Sequence, residues 1–316
     1  MTLFNEILNR VVLICSYVFS SLTRFQVFIG YKKAHFGIAD YYEHKGIPQS
    51  HIIHNEKRSV AMLDYDNFRP DDIILFTYIK SGTHFTRDVI TSIYKEKGIQ
   101  VSSCFFELNV PTFLTPSDKT IKATGPLAHL DRAPSPRIFT THLSWDLLPP
   151  KVRDCKVKVV HCSRNPKDVV CSMFEFLRRP GVLLSYISFD QFLDWFTQGN
   201  VLYGSYFDFV RSWYPHRNNS NVLHIQYEGM KKDLELSVRR LAKFIDIELS
   251  QEQIDRVVYD NTFKNKKKEK GDYHAMYRRG QSGAWRNDLS EEQIQRMDRW
   301  IEREMKGLDE FHLLFD

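Results

Sequence analysis

The sequence predicts an α/β fold, a single domain with a mainly parallel sheet flanked by helices. Short β-branched apolar runs alternate with amphipathic segments of helical period, the pattern left by a parallel sheet covered on both faces. After about residue 40, no internal repeat and no long flexible linker interrupts that alternation. The composition is globular: of 316 residues, 42% are hydrophobic, 26% charged and 14% aromatic, which excludes a disordered or collagen-like chain. A chain of this length buries about three quarters of its unfolded surface and needs no disulfide staple.

In chain order, residues 1–40 read as an N-terminal extension and 41–316 as the domain. Between Arg10 and Arg24 runs VVLICSYVFSSLT, thirteen uncharged residues, where a spanning helix needs about 20. The start MTLFNEILNR carries Glu6 against Arg10 and lacks the basic beginning of a secretory signal. The extension therefore reads as a helix docked on the body or, through residues 1–30, on a membrane surface. A membrane anchor continuing past Arg24 and a cleaved signal are the other readings.

RPDDIILFTYI (69–79) passes from turn residues into a buried strand. HFTRDVITSIYKEKG (84–98) sets Phe85, Val89, Ile90, Ile93 and Tyr94 at helical spacing before a Gly98 stop. KVKVVHCSR (156–164) is a second buried strand, NPKDVVCSMFEFLRR (165–179) the helix after it, and NVLHIQYEGM (221–230) a third strand. LELSVRRLAKFIDI (234–247) is an amphipathic helix. A last helix, 290–307, opens on the capping pair Ser290-x-x-Gln293 and ends at Gly307. The Pro-, Ser- and Thr-rich stretch 100–135 reads as active-site loops, and KNKKKEK (264–270) as a solvated loop.

A charge of +5, from 44 Lys+Arg against 39 Asp+Glu, is too small to predict a nucleic-acid partner. Cys15, Cys104, Cys155, Cys162 and Cys171 are odd in number, without a CxxC pair or metal-ligand spacing. They read as free thiols in a reducing, cytoplasmic setting, and no metal site is expected.

The strongest local signal is YIKSGTHFTRDV (78–89), where a strand delivers Lys80, Ser81, Gly82, Thr83 and His84 to a helix N-terminus. Exposed N–H groups and about half a positive charge from the helix dipole make such a turn an anion site. Gly82 permits close approach, and Lys80 brings a cation. An ordinary βα turn capped by Ser81 or Thr83 is the bland reading. Because Lys80 precedes the only glycine, the loop is P-loop-like without being a Walker A motif. Arg164, leaving a strand, with Ser172 two turns into the next helix suits a phosphate monoester, as does Arg278-Arg279-Gly280 in a loop. Three anion-type sites favour a ligand phosphorylated at both ends.

Five segments in order resemble the cytosolic sulfotransferases, which move a sulfonate from 3′-phosphoadenosine-5′-phosphosulfate (PAPS) to a hydroxyl or amine. YIKSGTHF resembles the family's YPKSGTTW, SPRIFTTHLSWDLLP (135–149) its SPR…KTHLP…LLP, and HCSRNPKDVVCSMFEF its ARNxKDVxVSxxxF. GSYFDFVRSWY with IQYEGMKKD resembles GSWxDHVxxWW with YEDMKxD, and YRRGQSGAWRNDLS resembles RKGxxGDWKNxFT. The resemblance spans about residues 41–312. It implies that Lys80, Ser81, Gly82, Thr83 and His84 hold the 5′-phosphosulfate. Arg164, Ser172, Arg278, Arg279 and Gly280 would hold the 3′-phosphate, and Phe85, Tyr227, Asn261 and Phe263 the adenine. His142 would be the base, with Lys80 and Ser172 completing the catalytic set. A histidine's ordinary pKa near 6.5 suits that role, and Lys80 would stabilise charge on the departing oxygen. PAPS is the implied co-substrate, without a metal, and a small lipophilic phenol, alcohol or amine the acceptor. Phe105, Phe106, Phe113, Phe174, Phe176 and Tyr186 are wall residues by analogy.

The departures matter. The lysine of KTHLP is Thr140, which removes a cation, and the acid of GDW is Ala284. They support an alternative: a catalytically weak member that binds a nucleotide or hydrophobic ligand. Against the family's dimerisation segment KxxxTVxxxE, Arg286 and Ser290 are near matches but Glu291 and Gln295 are not, so a homodimer is implied only in part.

Overall fold

The computed structural model describes residues 34–35, 38–39, 41–51, 64–105, 131–154, 157–178, 186–262, 265, 280–309, 311 and 313. Two short antiparallel pairs come first, β1 (Ala34–His35) with β2 (Ile38–Ala39) and β3 (Tyr41–His44) with β4 (Ile47–Ser50). The helical reading of the extension 1–40 falls mostly on residues outside the described ones, and where its end is described, at Ala34–His35 and Ile38–Ala39, the chain is strand rather than helix.

The centre is a sheet of five strands: β5 (Ile73–Thr77), β6 (Ser102–Phe105), β7 (Arg137–Thr141), β8 (Lys158–Ser163) and β9 (Val222–Gln226). Their spatial order is β6-β7-β5-β8-β9, and every neighbouring pair is parallel. β5 lies in the middle with the sequence IILFT, all of it buried, as a strand covered on both faces demands. Successive side chains point to opposite faces. Ile74 and Phe76 therefore enter one core with Phe139 and Val159, and Ile73 and Leu75 another with Ile138, Val160 and Ile225.

Helices close both faces. α1 (Thr83–Lys95), α7 (Leu234–Phe244) and α8 (Gln251–Asp260) supply Val89, Ile93, Leu241 and Val257 to the second core. α3 (Pro166–Arg178), α4 (Phe189–Gln198), α5 (Tyr206–Trp213) and α10 (Glu291–Glu304) supply Val169, Phe192, Phe207 and Trp300 to the first. The short helices α2 (Pro150–Arg153), α6 (Tyr227–Lys232) and α9 (Trp285–Asp288) sit in connections. Ser290 and Gln293 form the expected capping box of α10, and Ser188–Gln191 and Ser250–Gln253 form two more on α4 and α8.

The third expected strand is shorter than its sequence suggests. β9 stops at Gln226, whose partner Ser163 is the last residue of β8, and Tyr227 begins α6. With no further β8 residue to pair with, the chain turns and buries Tyr227, Glu228 and Met230 from a helix. Within 100–135, Ser102–Phe105 is an edge strand, and 106–130 lies outside the described residues.

At the opposite, N-terminal edge of the sheet, Arg137 and Asp72 form an ion pair whose side chains are both 0% exposed. Arg137 donates from Nε to Asp72 Oδ1 at 2.8 Å, and also reaches the Tyr65 hydroxyl at 3.1 Å and the Asn67 carbonyl at 2.7 Å. Removing one partner strands a buried charge, at a cost of about 3–5 kcal/mol, while replacing both with apolar groups often costs little. Asp72→Ala should therefore lower the unfolding free energy by about that amount in urea titrations. The double variant Asp72→Leu/Arg137→Met should recover most of the loss.

Candidate active site

Four parallel strands end side by side, and the residue types singled out above follow their C-terminal ends. The last register pairs are Phe76 with Thr141, Thr77 with Cys162 and Ser163 with Gln226. The loop after Thr77, then His142, Arg164 and Tyr227 thus emerge along one edge, where open α/β sheets bind ligands.

After β5 the chain buries Tyr78 and Ile79, then turns through two left-handed residues, Lys80 at φ 66° and Gly82 at φ 96°, into α1. Gly82 is the N-cap, and no side chain caps the helix, so neither Ser81 nor Thr83 takes the role an ordinary capped turn requires. The first-turn N–H groups are left for an anion. The Ser81 hydroxyl is buried without a hydrogen-bond partner among the described residues. A Cβ on Gly82 would stand 2.6 Å from Tyr227 Cδ2, so the loop's approach to that ring admits glycine alone. Lys80 Nζ lies 4.4 Å from the centre of the Phe176 ring, and His84 is half-buried on the first turn of α1. Beneath the loop, the buried Cys162 thiol donates to the Ser81 carbonyl at 3.1 Å, and burial raises its pKa to about 12.

His142 is 7% exposed, and its Nδ1 lies 2.8 Å from the Thr77 carbonyl oxygen. A carbonyl only accepts, so Nδ1 carries the hydrogen and the lone pair sits on Nε2. The Thr77 hydroxyl lies 3.3 Å from the same Nδ1 and 2.7 Å from the Thr83 hydroxyl, linking the imidazole to the anion loop. Burial lowers the His142 pKa to about 4; the Lys80 charge adds to this, and the Thr77 carbonyl opposes it. The Tyr203 ring meets the imidazole edge-on at 5.1 Å. Tyr203 itself is left-handed at φ 68°, its N–H bonded to the Pro48 carbonyl at 3.0 Å. Thr140 is fully buried, and its hydroxyl has no hydrogen-bond partner among the described residues.

Arg164 lies over the Tyr227 ring at 4.5 Å, donating to the carbonyls of Lys80 and Gln281 at 3.2 Å each. Its Nε is buried without a partner among the described residues. The turn presenting it is fixed by the Tyr206 hydroxyl, which donates to the Arg164 carbonyl at 2.7 Å, and by Glu228, which accepts the Asn165 N–H at 2.9 Å. Burial raises the Glu228 pKa to about 7. Phe85 stands edge-on to Tyr227 at 6.0 Å. Asn261 is tied to α1, donating to the Ser92 hydroxyl at 2.9 Å, and its Oδ1 has no partner among the described residues. Ser172 is half-buried on α3.

The structure therefore gathers the loop from Lys80 to Phe85 with His142, Arg164 and Tyr227, and brings Gly280 near through its neighbour Gln281. Phe263, Arg278 and Arg279 lie outside the described residues, as do Phe106 and Phe113. Of the other expected wall residues, Phe176 adjoins Lys80, but Phe174 packs into the core against Phe189 and Phe192, and Tyr186 is 75% exposed. Thr77, Tyr203 and Glu228 were not read from the sequence. Their position at a strand end, for Thr77, or beside a glycine, for Tyr203 and Glu228, is the one signal that could have marked them.

The family model for the sulfotransferase domain matches residues 70–309. An amine sulfotransferase of Oryctolagus cuniculus is 33% identical over 266 residues, covering 79% of this chain and 86% of that protein. Sulfotransferase 6B1 of Homo sapiens is 32% identical over 267 residues, covering 82% and 84%. Among solved structures, mouse sulfotransferase SULT7A1 complexed with PAP superposes with a TM-score of 0.71 at 29% identity, covering 85% of this chain and 96% of that one.

The imidazole geometry predicts a titration. His142 should remain neutral, with hydrogen on Nδ1, as pH falls through 6.5, and protonate with a midpoint near 4. Because its folded pKa is lowered, the folded state loses stability relative to the unfolded chain as pH drops through that window. Nitrogen-edited NMR of the imidazole should show the Nδ1–H tautomer at pH 6. A midpoint at 6.5 would contradict the buried geometry.

Proposed function

The chain belongs to the sulfotransferase family, and we propose that it sulfonates a hydroxyl or amine of a small lipophilic acceptor, with His142 as general base. It is a PAPS-dependent transferase. PAPS supplies an already activated sulfonate and leaves as 3′-phosphoadenosine-5′-phosphate (PAP). The observation that carries the base reading is the hydrogen-bond chain from His142 through Thr77 to Thr83, because it joins the imidazole to the anion loop.

The residues fit a doubly phosphorylated nucleotide. Buried polar atoms are normally paired, yet the Ser81 hydroxyl and Arg164 Nε lack partners among the described residues, and both belong to anion-binding positions. In this reading Lys80, Ser81, Gly82, Thr83 and His84 hold the 5′ end. Arg164 and Ser172 hold the 3′-phosphate, together with Arg278, Arg279 and Gly280. Phe85, Tyr227 and Phe263 flank the adenine, and the unpartnered Asn261 Oδ1 offers an acceptor to its amino group. His142 Nε2 removes the acceptor's proton. Lys80 and the loop N–H groups stabilise charge on the departing oxygen. Phe176 and Tyr203, aromatic and close to Lys80 and His142, support an apolar acceptor.

Thr140 favours the second reading, a nucleotide or hydrophobic-ligand binder with weak turnover. It holds a buried hydroxyl where the resemblance puts a lysine. One missing electrostatic group can cost about 10²–10³ in rate.

PAP at about 100 times its dissociation constant should add roughly 2.7 kcal/mol and raise the melting temperature by several degrees, with ATP producing no shift. His142→Ala should cut turnover about 10²–10⁴-fold on a panel of phenols, alcohols and amines while leaving PAP affinity nearly unchanged. Turnover that survives this substitution and is lost in His84→Ala would reverse the base assignment. A PAP shift in a wild-type protein that turns over no acceptor, with activity appearing in Thr140→Lys, would establish the second reading.

A further inference from the structure

A buried carboxylate that the proposed chemistry does not use joins two parts of the nucleotide site. Asp168, on the first turn of α3, is 3% exposed. Its Oδ2 accepts the Gly283 N–H at 2.8 Å, and its Oδ1 accepts the Trp285 N–H at 3.1 Å. Oδ2 also lies 3.7 Å from the Arg164 guanidinium, four residues earlier. Arg164 in turn donates to the carbonyl of Gln281 on the same loop.

Two glycines bend the loop. Gly280 and Gly283 are left-handed, at φ 62° and 72°. Trp285 opens α9, and the N-cap position belongs to Ala284, which has no side-chain oxygen to bond the helix's first N–H groups. Asp168 does this from another helix, and beside it Lys167 lies 4.2 Å from the Trp285 ring centre. A buried carboxylate accepting two backbone N–H groups makes strong, charge-assisted bonds, and its removal leaves donors unsatisfied.

We propose that Asp168 is a positioning residue for nucleotide binding. It clamps the Gly280–Trp285 loop onto α3 and sets Arg164 between them, so its loss lowers nucleotide affinity rather than the rate of transfer. This rests on the reading of Arg164 as a phosphate ligand. The side chain acts through the loop and through Arg164 and touches neither acceptor nor sulfonate. When a clamp opens in a fraction of molecules, apparent affinity falls by that fraction, and chemistry in the saturated complex does not.

The test is the PAP dissociation constant, with KM for PAPS and kcat, for wild type, Asp168→Asn and Arg164→Ala. Asparagine keeps the shape but can accept only one of the two N–H groups. Asp168→Asn should weaken PAP about tenfold to a hundredfold and raise KM for PAPS in parallel, with kcat at saturating PAPS within about twofold. A merely structural role would not confine the loss to KM. If Asp168→Asn does not fold, hydrogen exchange on the wild type decides: exchange at 280–286 should slow when PAP is added. Unchanged exchange there, or an Asp168→Asn variant that binds PAP within about twofold of wild type while Arg164→Ala does not, overturns the clamp alone. A wild type that fails to bind PAP, or an Arg164→Ala that binds it normally, overturns the nucleotide site beneath it.

Discussion

The carbonyl of Thr77 lies one residue past the last paired position between β5 and β7, where the ladder ends at Phe76 and Thr141. A buried carbonyl needs a donor, and here the donor is an imidazole. That one bond fixes which nitrogen of His142 carries hydrogen, and so which nitrogen can accept a proton. The same residue's hydroxyl reaches Thr83 in the anion loop. Because β5 is the central strand, its end is placed by neighbours on both sides, and His142 and the loop from Lys80 to Thr83 share that rigid reference.

Charge is distributed to match. At the N-terminal edge, Asp72 and Arg137 cancel each other inside the protein. At the C-terminal edge, cationic and N–H groups converge on the loop and Arg164, while the nearby carboxylates Asp168 and Glu228 are turned toward backbone N–H groups. Their acceptor capacity is thus spent on the loops that present the cations. Under the sheet, His161 and His224 lie 5.0 Å apart with Trp213 packed on both, and burial keeps them neutral.

Much of this was legible in the sequence, for local reasons. IILFT, a short apolar run behind turn residues, reads as a strand covered on both faces, and Lys80 to Thr83 ahead of a helical period reads as a strand-to-helix turn. β7 was harder, because RIFTT carries an arginine and two threonines. Its burial depends on Asp72, and no local pattern records a partner 65 residues away. The helices at 189–198 and 251–260 carry capping signatures in the sequence itself, at Ser188–Gln191 and Ser250–Gln253. The overlong reading of 221–230 failed because strand length is set by the neighbour, here the end of β8 at Ser163. Asp168 stayed hidden for the reason Asp72 did, since its bonds reach across 115 and 117 residues.

The Cys162 thiol beneath the anion loop has a chemical consequence. Thiolates, not thiols, attack oxidants and alkylating agents, and ionisation here is pushed to about pH 12. A sulfur so suppressed is a hydrogen-bond donor to Ser81 and a spacer between strand and loop, with almost no nucleophilic character at neutral pH. The turn from Lys80 to Thr83 therefore rests on a buried cysteine that peroxide has little means to convert.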